Sequence, residues 1–227
     1  MTSRLRVKRT PAPRAATSWH HRMTGPFLHT LVWWAVGLTV SCASVSRTPN
    51  QLTDYRDRIT DQAIASDLAL FETWMSRLDA AGRQQDSVSR YHRSKARALI
   101  DLAREEYTDN DRTGIADAAL REAITLITQY EGGAVSLRPV AVLDGSAPVR
   151  DDLWQLAEDL KEAPGFRCAA SLVARLEVRL VWAGNEELTC GVDDPRPHLE
   201  AAERLARRAR ERAASCPRVV ASRFSTE

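Results

Sequence analysis

The chain has 227 residues, with 32 Lys and Arg against 30 Asp and Glu, a formal charge of +2. Six of those bases, Arg4, Arg6, Lys8, Arg9, Arg14 and Arg22, stand in an acid-free leader, so the remainder carries 26 bases against 30 acids, a formal −4. That balance excludes an electrostatic footprint for nucleic acid, and the roughly 185 residues beyond the leader suffice for one domain with its own core.

The basic leader is an n-region of the kind that keeps an N-terminus cytoplasmic, and Phe27 to Val40 is an apolar run of signal-peptide length, short of the ~20 residues that cross a bilayer. It ends in Leu38-Thr39-Val40-Ser41-Cys42, which resembles the lipobox of bacterial lipoproteins, with Thr39 where Leu is usual. The resemblance implies acylation of the Cys42 thiol and cleavage before it, giving a signal peptide over 1–41 and a small, polar tether over 42–50. Several acyl chains hold a protein stably where one does not. Ala43 favours the outer membrane, since the lipoprotein sorting rule retains mainly chains with Asp there. An uncleaved anchor over Gly25 to Val45 and an ordinary signal peptide cut nearby are the alternatives.

From Leu52 the apolar positions Leu52, Tyr55, Ile59, Ala63, Leu68, Phe71, Met75 and Leu78 fall close to helical spacing, and Gly82 supplies a stop. Ser87 is a candidate cap for a second helix with Tyr91, Leu99, Leu102, Ala103 and Tyr107 on its face. A third carries Ile115, Ala119, Ala123, Ile127 and Tyr130. Gly132 to Val149, with Pro139 and Pro148, reads as a long ordered connection in which VAVL could form a strand edge. Asp152-x-x-Gln155 is a capping-box pattern opening a fourth helix through Leu153, Leu156 and Leu160, stopped at Pro164-Gly165. The fifth takes Cys168, Leu172, Leu176, Leu180 and Ala183 in one stripe, widened by Val178 and Trp182, and is expected to be the most buried. Asp194-Pro195 is read as N-cap and first-turn proline of a sixth, whose alanine seam (Ala202, Ala206, Ala209, Ala213) permits close approach.

Helices two and three, and five and six, share a design: an apolar helix ending in paired glutamates, an Asp/Arg loop and an alanine-rich return. The expectation is an all-α domain over 51–216, antiparallel hairpins packed as one bundle and loosely tetratricopeptide-like, at most a degenerate two-unit repeat, with a tail over 217–227. The segments SKARALIDLAREEYTDNDRTG, RDDLWQLAEDLK, GFRCA, LVWAGNEE and DPRPHLEAAERLA, within residues 87 to 216, resemble the helical N-terminal region of OmpA-type envelope proteins of Gram-negative bacteria. That resemblance implies a helical fold in the cell envelope. In those proteins a peptidoglycan-binding domain follows, and none of its residues carries over to a chain whose sequence stops at Glu227.

Catalytic and metal patterns are sparse. His92 and His198 each stand alone, more in keeping with surface or capping roles than with a triad. Glu105-Glu106 and Glu186-Glu187 could in principle supply the facing carboxylates of a cell-wall hydrolase, but adjacent glutamates near helix ends are usually a solvated face. Asp109, Asp111, Thr113, the Ile115 carbonyl and Asp117 sit at EF-hand offsets around Gly114, but Leu120 replaces the bidentate Glu. A turn capped by Asp or Thr is the preferred reading there, and no catalytic residue, metal or cofactor is assigned.

In an oxidising compartment with Cys42 acylated, Cys168, Cys190 and Cys216 remain. If helices five and six are antiparallel, Cys168 lies beside Cys216 while Cys190 falls in the far loop. Only the first pair can then bond, contributing on the order of 3 to 4 kcal/mol. The expected protein is a non-catalytic, periplasm-facing outer-membrane lipoprotein, an interaction or structural module held by its lipid. Its partners are the membrane and other envelope proteins, with no nucleic acid. The alternatives are an inner-membrane, signal-anchored protein with the same domain and a cell-wall hydrolase, and the oligomeric state is left open.

Overall fold

The computed structural model describes residues 50–81, 86–133, 136–137, 142–189 and 194–217. The leader, Cys42 and its tether, Gly82, part of VAVL, Cys190 and the tail beyond 217 lie outside those residues. After a short 3-10 turn at Tyr55–Asp57 come α1 (Asp61–Ala80), α2 (Ser87–Thr108), α3 (Ile115–Glu131), α4 (Asp151–Glu162), α5 (Phe166–Leu188) and α6 (Arg196–Ala214), with no strand among the described residues. Val142 and Leu143, the part of VAVL that is described, are irregular.

The two hairpins, α2 with α3 and α5 with α6, pack against one another through their first helices; α1 covers α2 and α3, and α4 covers α5 and α6. Helices α2 and α5 run parallel. Near their starts Arg90 donates to the Arg167 carbonyl and Tyr91 meets the Phe166 ring, and near their ends Glu106 is hydrogen-bonded by Trp182. Both lie between packed neighbours, which is why their burial exceeds one stripe. The core has two adjoining parts: one joins α1, α2, α3 and the Val178, Val181, Trp182 edge of α5, and the other joins α4, α5, α6 and Tyr91. Small residues set the close approach of α5 and α6, with Ala169, Ala202 and Ala209 fully covered. At Gly165 and Gly184 of this layer, even a methyl group would run into the Ala213 carbonyl and the Ala147 carbonyl respectively.

Several helix starts differ from the sequence expectation. The first helix begins at Asp61, capped by Thr60, whose hydroxyl accepts from the Ala63 N–H at 3.1 Å, and Tyr55 and Ile59 are exposed in the turn before it. Asp86, not Ser87, caps α2 through the Ser89 N–H at 2.8 Å. The capping-box pattern at α4 is not used as one. Asp152 receives both Nε and Nη2 of Arg150 at 2.9 Å, while Arg150 stands at φ 55° as the residue before the helix. At α6 the N-cap is Pro195, and Asp194 accepts from the Arg196 N–H one position earlier.

Candidate functional site

Three polar groupings are buried in this bundle, and each draws on more than one helix. The deepest centres on Glu177 of α5, which is fully buried. Its Oε2 takes the Tyr91 hydroxyl and lies 3.1 Å from Lys95 Nζ, and its Oε1 lies 2.9 Å from Lys161 Nζ. Lys161 also reaches Glu158 at 2.8 Å, and Lys95 donates to the Tyr91 oxygen at 3.2 Å. Burial and the Glu177 carboxylate push the Tyr91 phenol far up, so it remains a donor. Lys95 and Lys161 are the only lysines after Lys8 in a chain that otherwise uses arginine, and both converge on this carboxylate. A compact ammonium fits between packed helices where a planar guanidinium fork does not. The signal was present in the sequence: Glu177 sits between Leu176 and Val178, four residues beyond Val173, inside the buried stripe.

The second grouping gathers residues singled out for possible chemistry, at the end of the bundle that holds the loop after α2. Each glutamate pair is split: Glu105 and Glu187 are exposed, while Glu106 is buried and the Glu186 side chain is 12% exposed. The solvated-face reading is therefore corrected for one member of each pair, because α2 and α5 are packed on more than one side at their C-terminal turns. Burial, then the neighbouring Glu186, raises Glu106 to about 7, against the opposing Trp182 hydrogen bond. Above this acid pair Trp182 stacks on His198 at 4.5 Å and carries the Arg179 guanidinium on its ring. Arg179 Nη1 donates to His198 Nδ1 at 3.0 Å, and His198 Nε2 lies 3.8 Å from Glu186 Oε1. Burial, then Arg179, lowers His198 to about 4, so the ring is a neutral acceptor for Arg179 at pH 7. Two inward carboxylates differing in environment are the raw material of acid–base chemistry, and here Glu106 is buried and Glu186 largely covered.

The third grouping ties down the loops at the same end. Asp67 of α1, fully buried, accepts from the Thr53 N–H and hydroxyl at 3.1 Å and from the Tyr107 hydroxyl at 2.9 Å, so the segment entering the domain is latched to α1 and α2. In the Asp-rich loop, Asp111 Oδ2 accepts from the Thr113 N–H at 2.9 Å and its hydroxyl at 2.7 Å. Thr113 in turn receives Asn185 Nδ2 at 2.7 Å and the Ile115 N–H at 3.3 Å, and Gly114 bends at φ 87°. The EF-hand offsets are thus occupied by an Asx turn held against α5, and no group of three metal-ligating side chains occurs among the described residues. A cleft of about 1020 Å³ opens between Leu52–Ala63 and the start of α3, lined by Asp54, Asp57, Asp117, Asp144 and Arg121.

His92 is not a surface residue: it is buried beside Tyr91, with Nε2 3.1 Å from the Ser136 carbonyl oxygen. Cys168 and Cys216 are disulfide-bonded, Cα atoms 5.7 Å apart, at the end of the α5–α6 hairpin opposite His198. A scan against protein-family models found no match, and neither did comparison with curated proteins or with solved structures.

Proposed function

We propose that this chain is a non-catalytic envelope lipoprotein, anchored by lipid on Cys42 at the periplasmic face of the outer membrane and presenting its helical bundle as an interaction or structural module. The observation that carries the reading is the Cys168–Cys216 bridge, because such bonds persist in oxidising compartments and match the export leader that ends at Cys42. The likeness of residues 87 to 216 to the helical region of OmpA-type envelope proteins points the same way. Against hydrolysis stands the covering of Glu106 and Glu186, since an acid and its partner must both open to a glycan. The test is metabolic labelling with a palmitate analogue in the native chain and in Cys42→Ala. Label confined to the native chain is expected. Equal labelling of both, or none in either, would leave a signal anchor or a cleaved, unlipidated product.

A further inference from the structure

Positive charge is concentrated along one side of the α5–α6 hairpin. Residues 204–212 hold Arg204, Arg207, Arg208, Arg210 and Arg212 against the single acid Glu211, in a chain whose portion beyond the leader is net acidic. With Ala202, Ala206 and Ala209 turned into the core, these arginines are exposed. Arg204 reaches Glu200 at 3.6 Å, whereas the other four make no ion pair among the described residues; Glu203 is turned away to Arg150 at 2.5 Å. The disulfide at one end and the Arg179–His198 contact at the other set an antiparallel register that brings exposed Arg175 of α5 level with Arg204 and Arg208. Arg179 accordingly feels both Arg175 and Arg204 as like charges. The acids facing this side from α2, Asp101 and Glu105, temper the charge without cancelling it, and α2's own Arg97 and Arg104 are engaged by Asp79 and Glu72 of α1.

Guanidinium groups on a convex helix face suit an extended anionic surface better than a small anion, which needs a pocket. We propose that the α5–α6 face docks on anionic phospholipid, so that the bundle lies along the bilayer that anchors it. This rests on the anchor reading: with lipid on Cys42, residues 43–50 reach roughly 30 Å at ~3.3–3.6 Å each, and the headgroups become an intramolecular partner at high effective concentration. Arginine meets phosphate bidentately, and each base held at an anionic leaflet strengthens binding about fivefold.

The test uses the full chain on vesicles of phosphatidylcholine alone and of phosphatidylcholine mixed with phosphatidylglycerol. Arginine modification by phenylglyoxal is read peptide by peptide. Arg175, Arg204 and Arg208 should be modified severalfold more slowly on the anionic vesicles, with the difference lost at high salt. Arg77 of α1 should be indifferent. R175Q/R208Q should release the remaining arginines, with surface binding falling about fivefold for each arginine removed. Both positions are exposed and without ion pairs among the described residues, and circular dichroism checks that the fold is kept. Equal modification on both vesicles, or protection that survives high salt, would overturn the proposal. So would stronger protection by duplex DNA than by anionic vesicles at equal phosphate. Flotation with neutral vesicles tests the anchor separately: a chain that floats with both vesicles but shows no protection loses the docking face alone. One that floats only with anionic vesicles loses the anchor and keeps the face.

Discussion

Glu177 illustrates how a single side chain can demand its surroundings. A carboxylate without exposure is tolerated because two ammonium groups and a phenol converge on it, and removing it strands those cations in the interior. Glu177→Gln is therefore expected to cost about 3–5 kcal/mol in urea unfolding. Replacing the whole set by apolar residues (E177L, K95M, K161M, Y91F) should recover much of that, since no charge is then left without a partner. A single variant within about 1 kcal/mol of wild type would mean the network contributes little. Glu106 and His198 act on stability in opposite directions with pH. The folded state holds the Glu106 proton up to about 7, above the usual carboxylate range, so the folded protein binds more protons and stability falls as pH rises from about 4.5 to 7. His198, lowered to about 4, binds fewer protons when folded, so stability falls as pH drops from about 6.5 to 4. Glu106→Gln should abolish the first slope alone, gaining on the order of 2 kcal/mol at pH 8 relative to pH 4.5 when the two unfolding curves are compared. An unchanged slope would place the titration elsewhere.

At the scale of elements, the helices owe their spacing to small residues. Gly184 of α5 receives the Ala147 N–H at its carbonyl at 2.9 Å, Ser146 Oγ bonds the Val181 carbonyl at 2.7 Å, and Asn185 reaches the Gly145 carbonyl at 2.9 Å, so the connection before α4 is laid directly on α5. Gly184→Ala and Gly165→Ala should each destabilise by about 1–3 kcal/mol or more, because backbone stands where the methyl would go. Gly132→Ala, whose methyl would meet the Thr128 and Gln129 carbonyls at 3.4 and 3.7 Å, both ordinary contacts, should be neutral to slightly stabilising in the same thermal melts. The Asp111–Thr113 turn gives a further expectation: millimolar calcium should leave the melting temperature in place. A rise equivalent to about 2 kcal/mol would require a folded-state site. Periodicity made the helices legible: every apolar position read on α2 and α3 is buried, and α5 is the most covered helix. It failed where a residue's role depended on neighbours distant in sequence. Leu52, Tyr55 and Ile59 keep helical spacing, yet only Leu52 is drawn into the core, because Thr60 starts the helix after them. Ser89, His92, Lys95 and Glu106 share the helical spacing of the apolar positions of α2, but an apolar pattern passes over polar side chains: Lys95 and Glu106 are buried against Glu177 and Trp182 of α5, and His92 beside the Ser136 carbonyl. The acid corner was within reach, since both glutamate pairs end the parallel first helices of matching hairpins, but parallel packing is not written in either helix alone.

For the molecule as a whole, the disulfide links fold to compartment. An antiparallel α5–α6 hairpin brings together the start of one helix and the end of the other, and the bridge between Cys168 and Cys216 closes the hairpin opposite the His198 end, spanning a sequence separation of 48. In the chain-entropy view a loop of that size contributes about 4 kcal/mol, by restricting the unfolded chain more than the folded one. Reduction, or Cys168→Ser with Cys216→Ser, should therefore lower stability by about 3–4 kcal/mol while leaving helix content by circular dichroism unchanged, since alanine packing and the Glu177 centre already hold α5 in place. The same bond tests location. Chain recovered from the envelope after rapid acid trapping and digested without reductant should yield the linked Cys168 and Cys216 peptides, with Cys190 recovered as a free thiol. Retention of a cytosolic chain by deleting residues 1–41 should yield all three reduced. A bridge involving Cys190 would contradict the α5–α6 register. Free Cys168 and Cys216 in the envelope fraction would remove the oxidising compartment from which the proposed lipid anchor, and with it the proposed membrane docking of the arginine face, is argued.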